Sequence, residues 1–396
     1  MTDQYRNSTM WGRFFVVSAT LLLLNGCGIF AGKDNSEPPS PLPKFTPTVS
    51  LNTVWSKNIG GDSDNFYLKL TPALVDETVY VSNDKGIVYA LDALTGAQRW
   101  QHDTNETITG SIGADDTTVL LGLQTGDVIA LSAENGTPLW RVHLSSEILV
   151  APQISGDTVI VRSVDGKIFG LESATGETRW VYERDVPVLS LRGNSTPIIV
   201  DDEVFIGLDN GKLAVLDLQT GNPKWESRIS VIKGRSDVER MVDIDGKLSH
   251  DEHSIYVSSY QGNTAGIERY SGDVLWREEL SSYVGSAVDY GSLYLVGSND
   301  TLYALNKEIG STKWKYTGLK QRKLTAPSII NQYVVTGDYE GYVHWFDANE
   351  GLPVARTRVG SAPLRAAPLV LNDNLVLIYG SQGQLVALQV PTTADE

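Results

Sequence analysis

The chain has 396 residues, a formal net charge of −16 and a single cysteine. This acidic balance argues against nucleic acid as a partner, because phosphate backbones bind basic surfaces, and one cysteine leaves no internal disulfide to stabilise the fold. Hydrophobic residues make up 41% of the chain and 37 residues are Gly, which favours many short strands joined by tight turns around a sizeable core.

The amino terminus has the pattern of a signal peptide over residues 1–26. Arg13 precedes the uncharged run Phe14–Leu24, which is too short to span a bilayer as a mature helix. Two start positions are left open, Met1 and Met10, and the second would give the more basic leader. We expect this segment to be removed.

The run ends in Leu24-Asn25-Gly26-Cys27, which resembles the lipobox of bacterial lipoproteins. The resemblance implies cleavage before Cys27, acylation of its sulfur and three acyl chains after full processing, enough for stable anchoring. Gly28 stands where inner-membrane retention would need Asp, so the periplasmic face of the outer membrane is favoured. The alternative is an unmodified cysteine in an ordinary secretory leader.

Residues 27–50 are predicted to be a lipidated cysteine followed by a proline-rich tether. The segment has little that could build a core and contains five prolines, Pro38, Pro39, Pro41, Pro43 and Pro47. Fully extended, residues 28–50 would reach roughly 70–80 Å, enough to hold a domain clear of the bilayer.

A repeat of fixed spacing fills the rest of the chain. A turn Gly is followed ten residues later by a second Gly, and four residues after that by a Trp. The five complete sets are Gly86, Gly96, Trp100; Gly126, Gly136, Trp140; Gly166, Gly176, Trp180; Gly211, Gly221, Trp225; and Gly262, Gly272, Trp276. Two variants follow, Asp300, Gly310, Trp314 and Gly341, Gly351, Ala355. Each unit predicts four antiparallel strands, which is one propeller blade.

The ends of the repeat predict a closed ring. Gly383 opens an eighth unit with Leu385–Leu388 in register, but no outer strand follows it. At the other end, the segment around Trp55 has the pattern of an outer strand without a blade. Pairing the two completes an all-β, eight-bladed propeller over residues 51–391, leaves 392–396 as a tail, and removes exposed sheet edges.

The unit Ala90-x-Asp92-x-x-Thr95-Gly96-x-x-x-Trp100 resembles the tryptophan-docking repeat of pyrroloquinoline-quinone dehydrogenases and their relatives. In those proteins the Trp is wedged between neighbouring blades. The resemblance therefore implies a structural role for the seven tryptophans at this position, Trp55, Trp100, Trp140, Trp180, Trp225, Trp276 and Trp314.

A quinone-dependent enzyme shares this repeat and is the rival class. The resemblance to the dehydrogenases would require an adjacent cysteine pair, and the chain has one Cys. His250 and His253 precede a predicted strand, where their spacing does not suit a zinc site. Asp243 and Asp245 imitate part of a calcium loop, but Lys247 occupies the next ligand position. We predict no catalytic residue, metal or cofactor, while a catalytic set assembled from distant blades stays open.

Two consecutive connections between units are longer than most others. They run 31 residues from Trp180 to Gly211 and 37 from Trp225 to Gly262. Because spacing inside each unit is fixed, the extra residues fall on one rim of the ring and should be neighbours in space.

The lipobox, the eight units and these two connections together resemble the outer-membrane assembly lipoproteins of the β-barrel assembly machinery (the BAM complex), over essentially the whole mature chain. The resemblance implies that two loops bind the periplasmic domains of BamA, through residues that are here Leu189, Leu191 and Arg192 with Asp243 and Asp245. Independently, the two leucines face one side of an extended loop, and Arg192 can bind a carboxylate. The alternative is that the leucines pack on the adjacent blade and Arg192 pairs with an acidic residue of its own chain.

The sequence leaves two functions open. The first is a non-enzymatic scaffold that binds BamA, aids assembly and insertion of β-barrel proteins, and offers blade edges to unfolded outer-membrane proteins. The alternative is a periplasmic quinone- or sugar-binding propeller, which stoichiometric binding of a small ligand in the central channel would support.

Overall fold

A computed structural model describes residues 37–63, 67–184, 195–231, 236 and 241–390. The chain divides into two units, Met1–Pro38 and Pro39–Glu396. Of the first unit only residues 37 and 38 are described, and both are exposed. Within the described residues, no helix has the length and apolar character needed to cross a membrane.

The second unit contains eight antiparallel sheets of four strands within the described residues. The first strand of the described residues is β1, Asn52–Asn58. Blade one is β2 Ala73–Val75, β3 Thr78–Ser82, β4 Ile87–Asp92 and β5 Gln98–Asp103; blade two is β6 Gly113–Ala114, β7 Thr118–Gly122, β8 Asp127–Ser132 and β9 Pro138–His143. Blade three is β10 Gln153–Ser155, β11 Thr158–Arg162, β12 Ile168–Glu172 and β13 Thr178–Tyr182; blade four is β14 Ile198–Val200, β15 Glu203–Gly207, β16 Lys212–Asp217 and β17 Pro223–Arg228.

The remaining blades repeat the pattern. Blade five is β18 Ser249–His250, β19 Ser254–Ser258, β20 Thr264–Glu268 and β21 Val274–Glu278; blade six is β22 Ser286–Val288, β23 Ser292–Val296, β24 Leu302–Asn306 and β25 Thr312–Tyr316. Blade seven is β26 Ser328–Ile330, β27 Tyr333–Gly337, β28 Tyr342–Asp347 and β29 Pro353–Arg358; blade eight has β30 Leu369–Asn372, β31 Leu375–Tyr379 and β32 Gln384–Gln389.

The first strand completes the last blade. β1 pairs antiparallel with β32, from Asn52 opposite Gln389 to Asn58 opposite Gln384, so the sheet order is β1-β32-β31-β30. The inner strand of this blade, β30, also contacts β2 of blade one. The predicted closed, eight-bladed all-β propeller is therefore confirmed, including the position of Trp55 in the blade that contains Leu385.

Strand direction gives the disc two different faces. Because neighbouring strands are antiparallel, every connection from an outer strand to the next inner strand lies on one face, together with turns such as Asn83–Gly86 between second and third strands. We call this the connection face. The opposite face carries the other turns, such as Ala93–Ala97 between third and fourth strands, and we call it the hairpin face.

Tryptophans pack between successive blades. Trp55 Nε1 donates to Ala93 O of blade one at 3.0 Å, and the Trp55 ring lies so close to Gly96 that an added Cβ would come within 2.6 Å. Gly96 has a φ of +70°, which a residue without a side chain adopts at little cost. The same contact recurs in the pairs Trp100–Gly136, Trp140–Gly176, Trp180–Gly221, Trp225–Gly272, Trp276–Gly310 and Trp314–Gly351.

Residues 40–51, which we call the strap, lie against blades six and seven. The backbone N–H of Ser40 donates to Lys320 O at 2.9 Å, and its hydroxyl donates to Gly318 O at 3.1 Å. In return, Arg322 Nη1 donates to Ser40 O at 3.1 Å. These partners belong to the connection between β25 and β26, so the strap begins on the connection face.

The later part of the strap runs beside β29. Arg356 Nη1 donates to Pro43 O at 3.0 Å, and the Arg356 guanidinium lies 5.3 Å from the centroid of the Phe45 ring. The N–H of Thr48 then donates to Val354 O at 2.9 Å. Val354 is near the start of β29, so this end of the strap is at the hairpin face.

The compact unit extends further toward the amino terminus than the strands of the propeller. The unit begins at Pro39, within the segment predicted to be a tether. The physical reason is that three apolar residues among the prolines are half-buried against the propeller cores, namely Leu42, Val49 and Leu51.

Candidate protein-docking site

The described stems of the two long connections lie side by side on the connection face, between blades three, four and five. Leu189, Leu191 and Arg192 fall outside the described residues, so their predicted contacts stay predictions. Asp243 and Asp245 are described, as are the stems of both connections.

One serine joins the two connections. Ser195, at the end of the first connection, is fully buried, and its hydroxyl donates to Gly246 O in the second connection at 3.1 Å. Its own carbonyl oxygen accepts a hydrogen bond from Arg162 Nη1 at 3.3 Å. The stems of the two connections are therefore held in a fixed relation by a buried contact.

Beneath the connections, Arg162 ties blade three to blade four. Its side chain is 1% exposed, and it donates to Gly207 O at 2.6 Å and to Asp209 Oδ1 at 2.7 Å. Sequence reasoning missed this residue. The available signal was an Arg at the end of a fully buried second strand, where five other blades have Ser or Gly, namely Ser82, Gly122, Gly207, Ser258 and Gly337.

The second connection is anchored by its backbone and by one apolar side chain. The N–H of Ile244 donates to Leu208 O at 3.3 Å, and the N–H of Tyr260 donates to Asp243 O at 2.8 Å. The Ile244 side chain is fully buried in the cluster that joins blades four and five. Asp243 itself has no solvent exposure, so in this conformation its side chain lies under the surface rather than on it.

Asp245 has an unusual electrostatic environment. Both of its carboxylate oxygens are shielded from solvent, and neither has a hydrogen-bond partner in the part of the chain that the structure describes. Burial, followed by repulsion from Asp243 and Asp209, raises the pKa of Asp245 to about 8, although Arg162 and Lys69 act in the opposite direction. A cationic hydrogen-bond donor placed here would satisfy an otherwise orphaned acceptor.

The other candidate positions show different surroundings. His250 and His253 are exposed at the start of blade five. Among the described residues, no three His, Cys, Asp or Glu side chains are grouped as a metal site would require. A pocket that opens to solvent lies at the junction of blades eight and one, beside Arg365 and Tyr379. Its empty space, about 160 Å³ with the open part included, is smaller than the roughly 300–1,000 Å³ typical of ligand pockets.

These features define the class of protein. It is a closed eight-bladed propeller with tryptophan-docked, quinoprotein-like blades, in which two consecutive long connections lie above a buried Arg162–Asp209 ion pair on the connection face.

Comparison with known proteins identifies the family within this class. The family model for outer membrane protein assembly factor BamB matches residues 84–316. The outer membrane protein assembly factor BamB of Pseudomonas aeruginosa is 44% identical over 372 residues, covering 94% of this chain and 97% of the relative. That of Escherichia coli K12 is 33% identical over 383 residues, covering 93% and 96%. The chain belongs to the BamB family of outer membrane protein assembly factors, and the prediction of a non-enzymatic protein of this family is confirmed.

Solved structures agree with the fold. The crystal structure of BamB from Moraxella catarrhalis superposes with a TM-score of 0.78 at 30% identity, covering 86% of this chain and all of that one. The quinohemoprotein alcohol dehydrogenase of Comamonas testosteroni gives a TM-score of 0.70 at 14% identity, covering 86% of this chain and 76% of the enzyme. The second likeness is one of fold alone.

Proposed function

We propose that this protein is a lipid-anchored scaffold of the BAM complex on the periplasmic face of the outer membrane, and that it binds the periplasmic domains of BamA through the two long connections. Acylated Cys27 would hold it at the membrane. Family membership supports the assembly role, and the lipobox-like Leu24–Cys27 supports the anchor.

The observation that carries the docking assignment is the hydrogen bond between Ser195 and Gly246. It joins the segment directly after Leu189, Leu191 and Arg192 to the segment directly after Asp245. A partner that meets one connection therefore meets the other in a fixed geometry, which is the arrangement that a specific protein interface needs.

Within this proposal, the acidic pair has an indirect role. Because Asp243 is buried and the Asp245 oxygens are shielded, they are positioned to orient a cationic group rather than to form the outer contact surface. Arg192 of the same chain is one such group, and a partner Arg or Lys is another. The apolar contact would then come from Leu189 and Leu191.

Site-specific photo-crosslinking from position 192 in cells tests the assignment. Capture of BamA is the expected result, with an exposed position on the hairpin face, Tyr290, as the control. Capture of BamA from position 290 but not from position 192 would reject the proposed docking face.

A further inference from the structure

The chain enters the propeller on the hairpin face. Asn52, the first residue of β1, lies opposite Gln389 at the end of β32, whereas Asn58 lies opposite Gln384 beside the connection-face turn that precedes β32. Without further contacts, whatever precedes β1 would therefore leave the disc from the hairpin face. That is the face opposite to the long connections.

The strap reverses this exit. From Asn52 it runs back along the edge of β29, held at Val354 and Arg356, to Ser40 among the residues that follow β25. The path crosses the disc from the hairpin face to the connection face. A six-residue strand such as β29 is roughly 20 Å long, so the exit point is displaced by about the thickness of the disc.

The anchor point of the strap on the connection face is rigidly built. Arg322, which donates to Ser40 O, is 3% exposed and donates through Nε to Asp338 Oδ2 at 2.8 Å. Glu340 also accepts from Arg322, and the Asp338 carboxylate accepts two backbone N–H groups of its own turn while His344 Nε2 lies 3.0 Å from its Oδ2. A guanidinium fixed by two carboxylates keeps its remaining donor aimed at the strap.

We propose that the strap orients the protein at the membrane. It directs residues 27–39, which we call the leash, to the connection face, so that the face carrying the docking connections is turned toward the lipid bilayer. This inference rests on the proposed anchor at Cys27. In this orientation the stems of the two long connections, which contain Ser195 and Gly246, lie on the side of the disc that faces the membrane.

The strap also shortens the leash. From Cys27 to Ser40 the chain can extend about 45 Å at most, whereas a leash that ran freely to β1 could extend to roughly 80 Å. A short leash fixed to one face limits tumbling of the disc more strongly than a long leash would.

Energy transfer to membrane lipids tests the orientation. The lipidated mature chain is reconstituted in phosphatidylethanolamine–phosphatidylglycerol vesicles that contain a rhodamine-headgroup acceptor. A donor dye is attached in blade six either at Ser298→Cys, exposed on the connection face, or at Tyr290→Cys, exposed on the hairpin face. Transfer from position 298 is expected to exceed transfer from position 290, and equal or reversed efficiencies would overturn the proposal.

A strap variant separates routing from anchoring. Leu42→Asp with Thr48→Pro removes the apolar contact and one of the two backbone donors to Val354 O, and is expected to reduce the difference between the two dye positions at least twofold. Lys44→Ser, at an exposed strap residue, is the matched control and should retain the full difference. A full difference in the double variant would reject the strap as the cause.

Two further readouts distinguish this proposal from the proposed function. Failure of the unaltered chain to float with vesicles would refute the anchor, and this inference with it. Failure to bind a purified BamA periplasmic fragment in solution, alongside the expected transfer difference, would refute the docking assignment and leave the routing by the strap standing.

Discussion

Trp345 lies directly opposite Ala355 across the β28–β29 pair, the reverse of the order at the same place in blade one, where Ala90 lies opposite Trp100. The reversal has a topological reason. In the other blades the outer-strand Trp docks under a Gly in the hairpin of the next blade. Blade eight, however, takes its outer strand, β1, from the amino-terminal part of the chain. No hairpin joins β32 to β1, so blade eight has no hairpin Gly for an outer-strand Trp of blade seven to dock under. Blade seven instead fills the gap between blades seven and eight with Trp345 of its third strand.

Replacement of Trp345 should therefore be costly. Trp345 is fully buried, so Trp345→Ala is expected to lower the free energy of unfolding by about 3–5 kcal/mol. Trp345→Phe should cost less than Trp140→Phe by about 0.5–1.5 kcal/mol, because Trp140 Nε1 donates to Ser173 O whereas Trp345 Nε1 has no partner among the described atoms. Denaturant midpoints check this order, and equal losses for the two Phe variants would contradict it.

Ring closure can be tested at Gly96. Ala at this position must adopt a φ of +70°, at a cost of about 1–2 kcal/mol, and must also displace the Trp55 ring. The second effect should add about 1–3 kcal/mol. Gly156 is the matched control, since its φ is +58° with nothing within 4 Å of an added Cβ. Thermal unfolding should show a clearly larger loss for Gly96→Ala than for Gly156→Ala.

Ser195→Ala should separate docking from folding. It removes the hydroxyl that joins the two long connections, at a cost of about 1 kcal/mol in stability. Ser328→Ala removes a comparable hydroxyl-to-carbonyl bond, to Pro368 between blades seven and eight, and serves as control. Only Ser195→Ala is expected to weaken pull-down of BamA, and a similar loss with both variants would indicate a general effect of instability.

Arg192→Ala addresses the predicted contact residue itself. We expect weaker co-purification with BamA at an unchanged melting temperature, since a desolvated guanidinium at an interface is worth more to binding than to folding. Undiminished co-purification would refute the assignment of Arg192.

The acidic pair predicts a pH effect on stability. The pKa of Asp245 is raised in the folded state to about 8 from an ordinary value of 3.8, so between these pH values the folded state binds the proton more tightly than the unfolded state. The contribution of this group to stability is complete below pH 3.8 and is lost as pH rises toward 8. Asp245→Asn should therefore raise the melting temperature more at pH 8 than at pH 5, and an equal change at both values would argue against a buried, neutral Asp245.

The fold could be predicted from sequence because most blades have a turn Gly and a docking Trp at the same spacing, and this spacing recurs within short stretches of the chain. Each Gly–Trp pair at this spacing, such as Gly96 and Trp100, marks the third and fourth strands of one blade. The number of such units therefore predicted the number of blades in the ring. Arg162 escaped prediction because its partner, Asp209, belongs to the next blade and no spacing rule connects them. The strap escaped because prolines obscure the apolar residues between them, and the burial of Asp243 depends on how the second connection packs.

The pairing of β1 with β32 has a consequence for the timing of folding. During synthesis β1 emerges before every other described strand, yet its partner, β32, is the last of them to be made. Seven blades can form from neighbours in sequence, but the eighth must bring together the two most distant parts of the disc, which is the slowest kind of contact to form. Until β1 pairs with β32, its edge stays unpaired, so we expect the protein to be most prone to aggregation just before the ring closes.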